Sequence, residues 1–226
     1  MLQGLKWLSI AGVLFFGVVC AVLTVFRYVD PPTSAFILWQ RIAGGDVVRS
    51  WVPLDRISPR LVRSVVASED ARFCKHRGID IREFQTALKR ARRQKNFDIR
   101  GASTITMQVI KNMFLWPDRS LLRKGLELTI APVMELLWPK RRILEIYLNF
   151  AEWGPGIFGI EAASRHHFRR SAASLTRAQA ALLAAALPNP NLRRAGRPGP
   201  KTRRAARRVQ ARASRIDSNL SCLRKV

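Results

Sequence analysis

The hydrophobic pattern begins with one uninterrupted apolar run. Leu8 to Phe26 contains no charged residue, and at helical rise it is about 28 Å long, close to the hydrocarbon thickness of a bilayer. Lys6 and Arg27 bracket it, with Trp7 and Tyr28 at interfacial positions. The run is long for a signal peptide and no small-x-small cleavage site follows it. Val19 is too bulky to precede a lipidated Cys20. Residues 1–29 are therefore expected to be a retained transmembrane anchor, and residues 30–50, opening with Asp30-Pro31-Pro32-Thr33-Ser34, a linker.

From about residue 51 the apolar positions recur at helical spacing. Ser58-Pro59 starts a helix as N-cap and first helical position. Leu61, Val62, Val65 and Val66 share one face of it, and Glu69 lies at its far end. Asp80 to Glu83 has the spacing of a capping box. It opens a helix running to about Arg93, with Phe84, Ala87, Leu88 and Ala91 inward. Arg92 to Arg100 reads as a polar, basic loop. Met113-Phe114-Leu115-Trp116-Pro117 fits either core or a dip into the bilayer. Pro132 is expected to kink its helix. Ile143, Leu144, Ile146, Tyr147 and Phe150 predict a largely buried helix after Pro139. Thr176 to Gln179 is a second capping box, whose helix stops at Pro188-Asn189-Pro190. The pattern predicts a mainly α domain over residues 51–190 and a basic C-terminal tail over 191–226. In that tail Arg203 to Arg215 forms a helix on anionic headgroups or stays solvated.

Composition sharpens this reading. Against 40 Lys and Arg stand 15 Asp and Glu, a formal net charge of +25 over 226 residues. Such a balance implies an anionic partner: nucleic acid, a membrane surface or a phosphorylated substrate. No base-reading motif is present, which disfavours nucleic acid. The three cysteines, Cys20, Cys74 and Cys222, form neither a disulfide framework nor a metal-ligand spacing. His166 and His167 are adjacent on a predicted helix and do not face each other, so they are not read as a metal pair. No Ser-x-x-Lys and no Lys-Thr-Gly occurs.

Candidate chemistry collects in three places. Glu69 and Asp70 close an apolar helix, where a carboxylate can be both fixed and open to a cleft, as a general base must be. The pair equally fits a helix end with solvated acids. Ser103 and Thr104 open the next helix, whose N-terminus offers N–H groups to a phosphate. Gln108, Lys111 and Asn112 lie on one face of that helix, which fits a pyrophosphate seat or an ordinary exposed stripe. Arg119, Arg123 and Lys124 precede Glu127, which shares a face with Arg123. This arrangement fits a carboxylate among phosphate-gripping cations or a surface ion pair.

Taken together, five stretches resemble the motifs of the peptidoglycan glycosyltransferases, the lysozyme-like family-51 enzymes, in the family's order. They are EDARFCKHRG (Glu69 to Gly78), GASTITMQVIKN (Gly101 to Asn112), RKGLE (Arg123 to Glu127), KRRILEIYLN (Lys140 to Asn149) and GIFGIEAA (Gly156 to Ala163). Met107 stands where that family usually has Gln. The resemblance implies a lysozyme-like glycosyltransferase domain that polymerises lipid II into β-1,4-linked strands, inverting the anomeric centre with Glu69 as general base. It implies Glu127 as the second catalytic carboxylate, and Ser103, Thr104, Gln108, Lys111, Arg119, Arg123 and Lys124 as substrate-binding residues. No cofactor is required by it; Mg²⁺ or Mn²⁺ serves some relatives. It implies the bacterial inner membrane, with the N-terminus inside and the domain periplasmic. Lipid II, the growing strand, membrane lipids and other cell-wall synthesis proteins are the implied partners. Lacking the transpeptidase motifs, the enzyme would be the monofunctional kind. A membrane-bound muramidase and a basic nucleic-acid-binding protein are the rival readings.

Overall fold

The computed structural model describes residues 2–93, 101, 103–118, 120–216 and 220–223; in the first helix the side chains of residues 2–5, 8, 9, 11 and 15 are outside the description. Arg119 and most of the predicted 92–100 loop fall outside the described residues.

The first helix, α1 (Leu2–Tyr28), is continuous through the apolar run. Among the described residues no helix is long and apolar enough to cross a membrane. The C-terminal end of α1 is built into the rest of the protein. The Trp138 indole N–H donates to the Leu23 carbonyl at 2.6 Å, and Arg27 donates to the Leu137 carbonyl at 2.7 Å. Arg142 donates to the carbonyls of Phe26 and Val29 and pairs with Asp30. Arg142 thus satisfies carbonyls that the end of α1 leaves without intrahelical partners.

The linker contains α2 (Ala35–Ile42), capped by Ser34, which accepts from the Ile37 N–H. Helix α3 (Pro59–Glu69) starts where Ser58-Pro59 predicts, but Ser58 makes no side-chain cap; its hydroxyl bonds the Leu175 carbonyl. Leu61, Val65 and Val66 are buried. Next come α4 (Ile81–Arg93), α5 (Ile105–Phe114), α6 (Leu121–Leu137) and α7 (Lys140–Phe150). The capping-box spacing at Asp80 acts through its carboxylate, which accepts from the N–H groups of Arg82 and Glu83. Helix α7 is buried along most of its length and packs on α5. Its Asn149 is fully buried and clamps Val52 by both backbone groups at 2.9 Å. Helices α8 (Ile160–Phe168) and α9 (Arg177–Ala186) follow, the latter with the predicted Thr176–Gln179 capping box formed. A small sheet runs in the order β1-β3-β2, joining β1 (Val48–Arg49), β2 (Glu152–Gly154) and β3 (Ile157–Phe158).

Three readings of the sequence are decided or revised. Of the two readings of Met113 to Pro117, the core one holds for Met113 and Leu115, which are buried at the end of α5 and just beyond it, with Phe114 and Trp116 packed against the core. The basic segment beyond residue 191 is not a free tail but is built into the fold. It forms α10 (Pro200–Ala213), which packs on α3 and α9 through Thr202, Ala206, Val209 and Ala213. Small side chains every three or four positions let an arginine-rich helix lie close to its neighbours. The cysteines do pair: Cys74 and Cys222 form a disulfide, with Cα atoms 5.5 Å apart across 148 residues of sequence, and Cys20 is free.

Candidate active site

Glu69 is the last residue of α3 and sits half-buried at the wall of a cavity of about 210 Å³. Its neighbour diverges from it. Asp70 leaves the helix in a non-helical conformation, accepts the Ile105 N–H at 3.0 Å, and holds His76 Nε2 at 2.9 Å. The acid next to Glu69 therefore fixes the start of α5 and the fold of the first motif; Asp70, Asp80 and Glu83 share the cavity wall with Glu69, but Asp70 and Asp80 are committed to His76, Ile105, Arg72 and the start of α4. Phe73 is completely buried, with its ring edge-to-face with His76.

Glu69 is tied to α5 by a relay. The Tyr147 hydroxyl donates to Gln108 Oε1 at 3.2 Å, and Gln108 Nε2 donates to Glu69 Oε2 at 3.0 Å. The relay orients the Gln108 amide, so that its N–H side faces the carboxylate. Burial pushes the Glu69 carboxyl above the usual carboxylate range; the Gln108 hydrogen bond, Lys111 and Ser68 oppose that push in part, and Asp70 adds to it. A carboxylate held up by burial is a stronger base when it ionises. Tyr147, buried and facing the charges of Glu69 and Asp70, is pushed well above the usual phenol value and stays a donor.

The predicted residues on α5 divide by task. Thr104 is the N-cap: its hydroxyl accepts from the Met107 N–H and donates to the Gly78 carbonyl. Ser103 lines the Glu69 cavity and accepts from Lys124 Nζ at 2.8 Å. Lys111 sets its Nζ over the Phe36 ring at 5.3 Å, within the field of Glu127, Arg123 and Lys124 of α6 and of Glu69. Burial lowers its pKa; Glu127 and Glu69 raise it, while Arg123 and Lys124 lower it. Met107 is buried in the core.

On α6, Ser120 caps the helix and the basic pair turns inward. Arg123 and Lys124 both grip Glu127, Arg123 on Oε1 and Lys124 on Oε2 at 2.9 Å. Glu127 is buried, so the pair is no surface ion pair. Of the expected set, the structure brings together Glu69, Ser103, Gln108, Lys111, Arg123, Lys124 and Glu127, and places Thr104 beside them as a cap.

Two groups in the neighbourhood carry no sequence signal. Arg212 of α10 lines the Glu69 cavity. Glu152, on β2, feels the charge of Lys111 and is raised by burial. Both come from segments remote in sequence. No group of three or more His, Cys, Asp or Glu that could hold a metal exists among the described residues.

The site thus sets a half-buried acid, Glu69, near half-buried cations gathered on the buried Glu127, all within one mainly helical domain. Residues 38–216 match the transglycosylase family, and the chain belongs to that family: it is a glycosyltransferase. It is 48% identical over 202 residues to a protein of Jannaschia sp. named biosynthetic peptidoglycan transglycosylase, covering 88% of this chain and 82% of the relative. Proteins of the same name from Rhodospirillum centenum and Nitrobacter hamburgensis are 48% and 50% identical over 206 and 199 residues, covering 90% and 87% of this chain and 88% and 87% of theirs.

Proposed function

We propose that this protein is a peptidoglycan glycosyltransferase of cell-wall biosynthesis that polymerises lipid II into β-1,4-linked glycan strands. The donor is the growing strand on polyprenyl pyrophosphate; the acceptor is the 4-hydroxyl of a lipid II GlcNAc. Glu69 takes the proton of that hydroxyl as it attacks the anomeric carbon. Attack opposite the departing pyrophosphate inverts the centre, by the logic of an inverting glycosidase with a sugar alcohol in place of water. Lys111, Arg123 and Lys124, together with Arg119, meet the charge that builds on the leaving group. Glu127 holds Arg123 and Lys124 in place and, through them, orients the donor.

The observation that carries this reading is the bridge made by Lys124, which pairs with Glu127 at 2.9 Å and donates to Ser103 at 2.8 Å on the wall of the Glu69 cavity. A muramidase attacking with water has no comparable use for that cation set. Mg²⁺ or Mn²⁺ fits the donor set poorly, because both oxygens of Glu127 are already paired with cations, and no step is routed through a metal.

We place the enzyme at the bacterial inner membrane with α1 as a single span and the catalytic domain periplasmic. The apolar run supports the span, and the docking of the C-terminal end of α1 supports a domain held against the bilayer. The Cys74–Cys222 disulfide supports the periplasm, because such bonds persist in oxidising compartments. The test is incubation of detergent-solubilised protein with labelled lipid II. Polymer that lysozyme cuts to disaccharide-peptide units is expected; release of sugars from purified cell wall without polymer would identify a muramidase instead.

A further inference from the structure

A second cavity, of about 640 Å³, lies between α3, α9 and α10. Arg60 and Arg63 of α3, Arg177 of α9 and Arg207 of α10 line it, and no acidic residue does. Among the described residues, none forms an ion pair with Arg60, Arg177 or Arg207. Each guanidinium is a planar fork that matches a carboxylate or phosphate with two parallel hydrogen bonds. Several guanidinium groups around one cavity, with room for more than one small anion, suit a ligand that carries several anionic groups.

Helix α10 is a wall common to two sites. Its Arg212 lines the Glu69 cavity, while its Arg207 and Gln210 line the arginine cavity. Helix α3 does the same, with Glu69 at its end and Arg60 and Arg63 at its start. A polymer lying in the catalytic cleft can therefore set its side branches against the arginines. Helix α1 docks instead on α6 and the start of α7, so the arginine cavity is carried by elements other than those that hold the anchor. That favours a branch of the polymer over a lipid headgroup.

We propose that the arginine cavity binds the carboxylates of the acidic peptide branches borne by the nascent glycan strand. This rests on the polymerase reading above and extends it to the part of the substrate that takes no part in bond formation. The expected effect is stronger holding of strands that carry peptide than of bare glycan.

The test uses the full chain in detergent and the triple variant Arg60→Gln, Arg177→Gln, Arg207→Gln, with thermal melting as a control on folding. Chain growth is measured on lipid II and on the same lipid-linked disaccharide without its peptide. Binding of a fluorescent pentapeptide containing D-glutamate is measured in parallel. The variant should bind the pentapeptide about tenfold or more weakly, from the loss of charge-assisted hydrogen bonds. It should also slow on lipid II while matching the parent on the bare disaccharide. Equal slowing on both substrates, or unchanged peptide binding, overturns the proposal. If the variant keeps peptide binding but loses binding to phosphatidylglycerol vesicles, the cavity is a headgroup site and the proposal also fails. Should the parent polymerise neither substrate, the polymerase reading fails, and the peptide-binding arm still decides the cavity.

Discussion

At the scale of single residues, the proposed chemistry rests on Glu69 and its partners. Glu69→Gln removes the base and should lower chain growth about 10²- to 10⁴-fold, the usual worth of a positioned proton acceptor; near-normal growth would remove Glu69 from the mechanism. The same change should act on stability with a definite sign. Burial raises the Glu69 pKa in the folded state, so its neutral form is favoured there. That contribution is present below the unfolded pKa and is lost as pH rises through the folded one. Glu69→Gln should therefore melt like the parent at acid pH and above it at neutral pH, and a gap that does not widen with pH would show that burial is not the cause. Gln108→Leu deletes a hydrogen bond that lowers the Glu69 pKa, so the acid limb of the pH–rate profile should move to higher pH. Burial lowers the pKa of Lys111, so its charge is lost at lower pH than for a free lysine, and Lys111→Arg should extend the alkaline limb upward. Of these residues Glu69 is legible because an apolar stripe ends on it. That Asp70 turns away to hold His76 and α5 is not legible, because helical periodicity stops where the helix does. The Tyr147–Gln108–Glu69 relay spans separations of 39 residues at each step, beyond the reach of any local pattern.

Among the elements, those with a local cause were readable and those with a distant cause were not. The Thr176–Gln179 box, the Ser58-Pro59 start and the Asp80 cap each announce a helix within four residues, and α9, α3 and α4 begin there. Helix α10 is harder to read, because its charge dominates its composition while its packing depends on a few small residues. The Pro132 position is a case where two elements explain each other. A proline inside α6 removes one helical N–H, and Gly78 packs where it does so. Gly78 has φ +88°, and a Cβ there would stand 2.7 Å from the Ala131 carbonyl. Gly78→Ala should destabilise by about 1–3 kcal/mol, the usual size for such backbone strain, read as a lower denaturant midpoint. Gly125, on the same helix, has nothing within 4 Å of a built Cβ and no positive φ. Gly125→Ala should be neutral or stabilising by about 0.4–1 kcal/mol, through a less disordered unfolded chain. If both substitutions destabilise equally, general intolerance of α6 and not the Gly78 contact is the reason.

For the whole molecule, the decisive link is the disulfide that ties the first motif to the C-terminal segment. Cys74 lies in the first motif, five residues past Glu69, and Cys222 follows α10. Their bond fastens the C-terminal segment to the first motif, and Arg212 of the preceding helix lines the Glu69 cavity. Three cysteines permit three pairings, and nothing local in the sequence chooses among them; the choice is made when α10 packs on α3 and α9. Cys222→Ser should therefore have two separable effects. Opening so long a loop should cost about 2–4 kcal/mol of stability, seen equally when the parent is reduced. Loosening the end of α10 should weaken substrate binding more than turnover, because Arg212 lines the cavity while Glu69, Gln108 and Lys111 are held by α3 and α5. A raised KM with kcat little changed is the expected outcome, reproduced by Arg212→Ala without the loss of stability. Cys20→Ser, which breaks no bond, should change neither. If Cys222→Ser lowered stability but left KM alone, the disulfide would be a brace for the fold with no hold on the cleft, and α10 would owe its place beside Glu69 to packing on α3 and α9 alone.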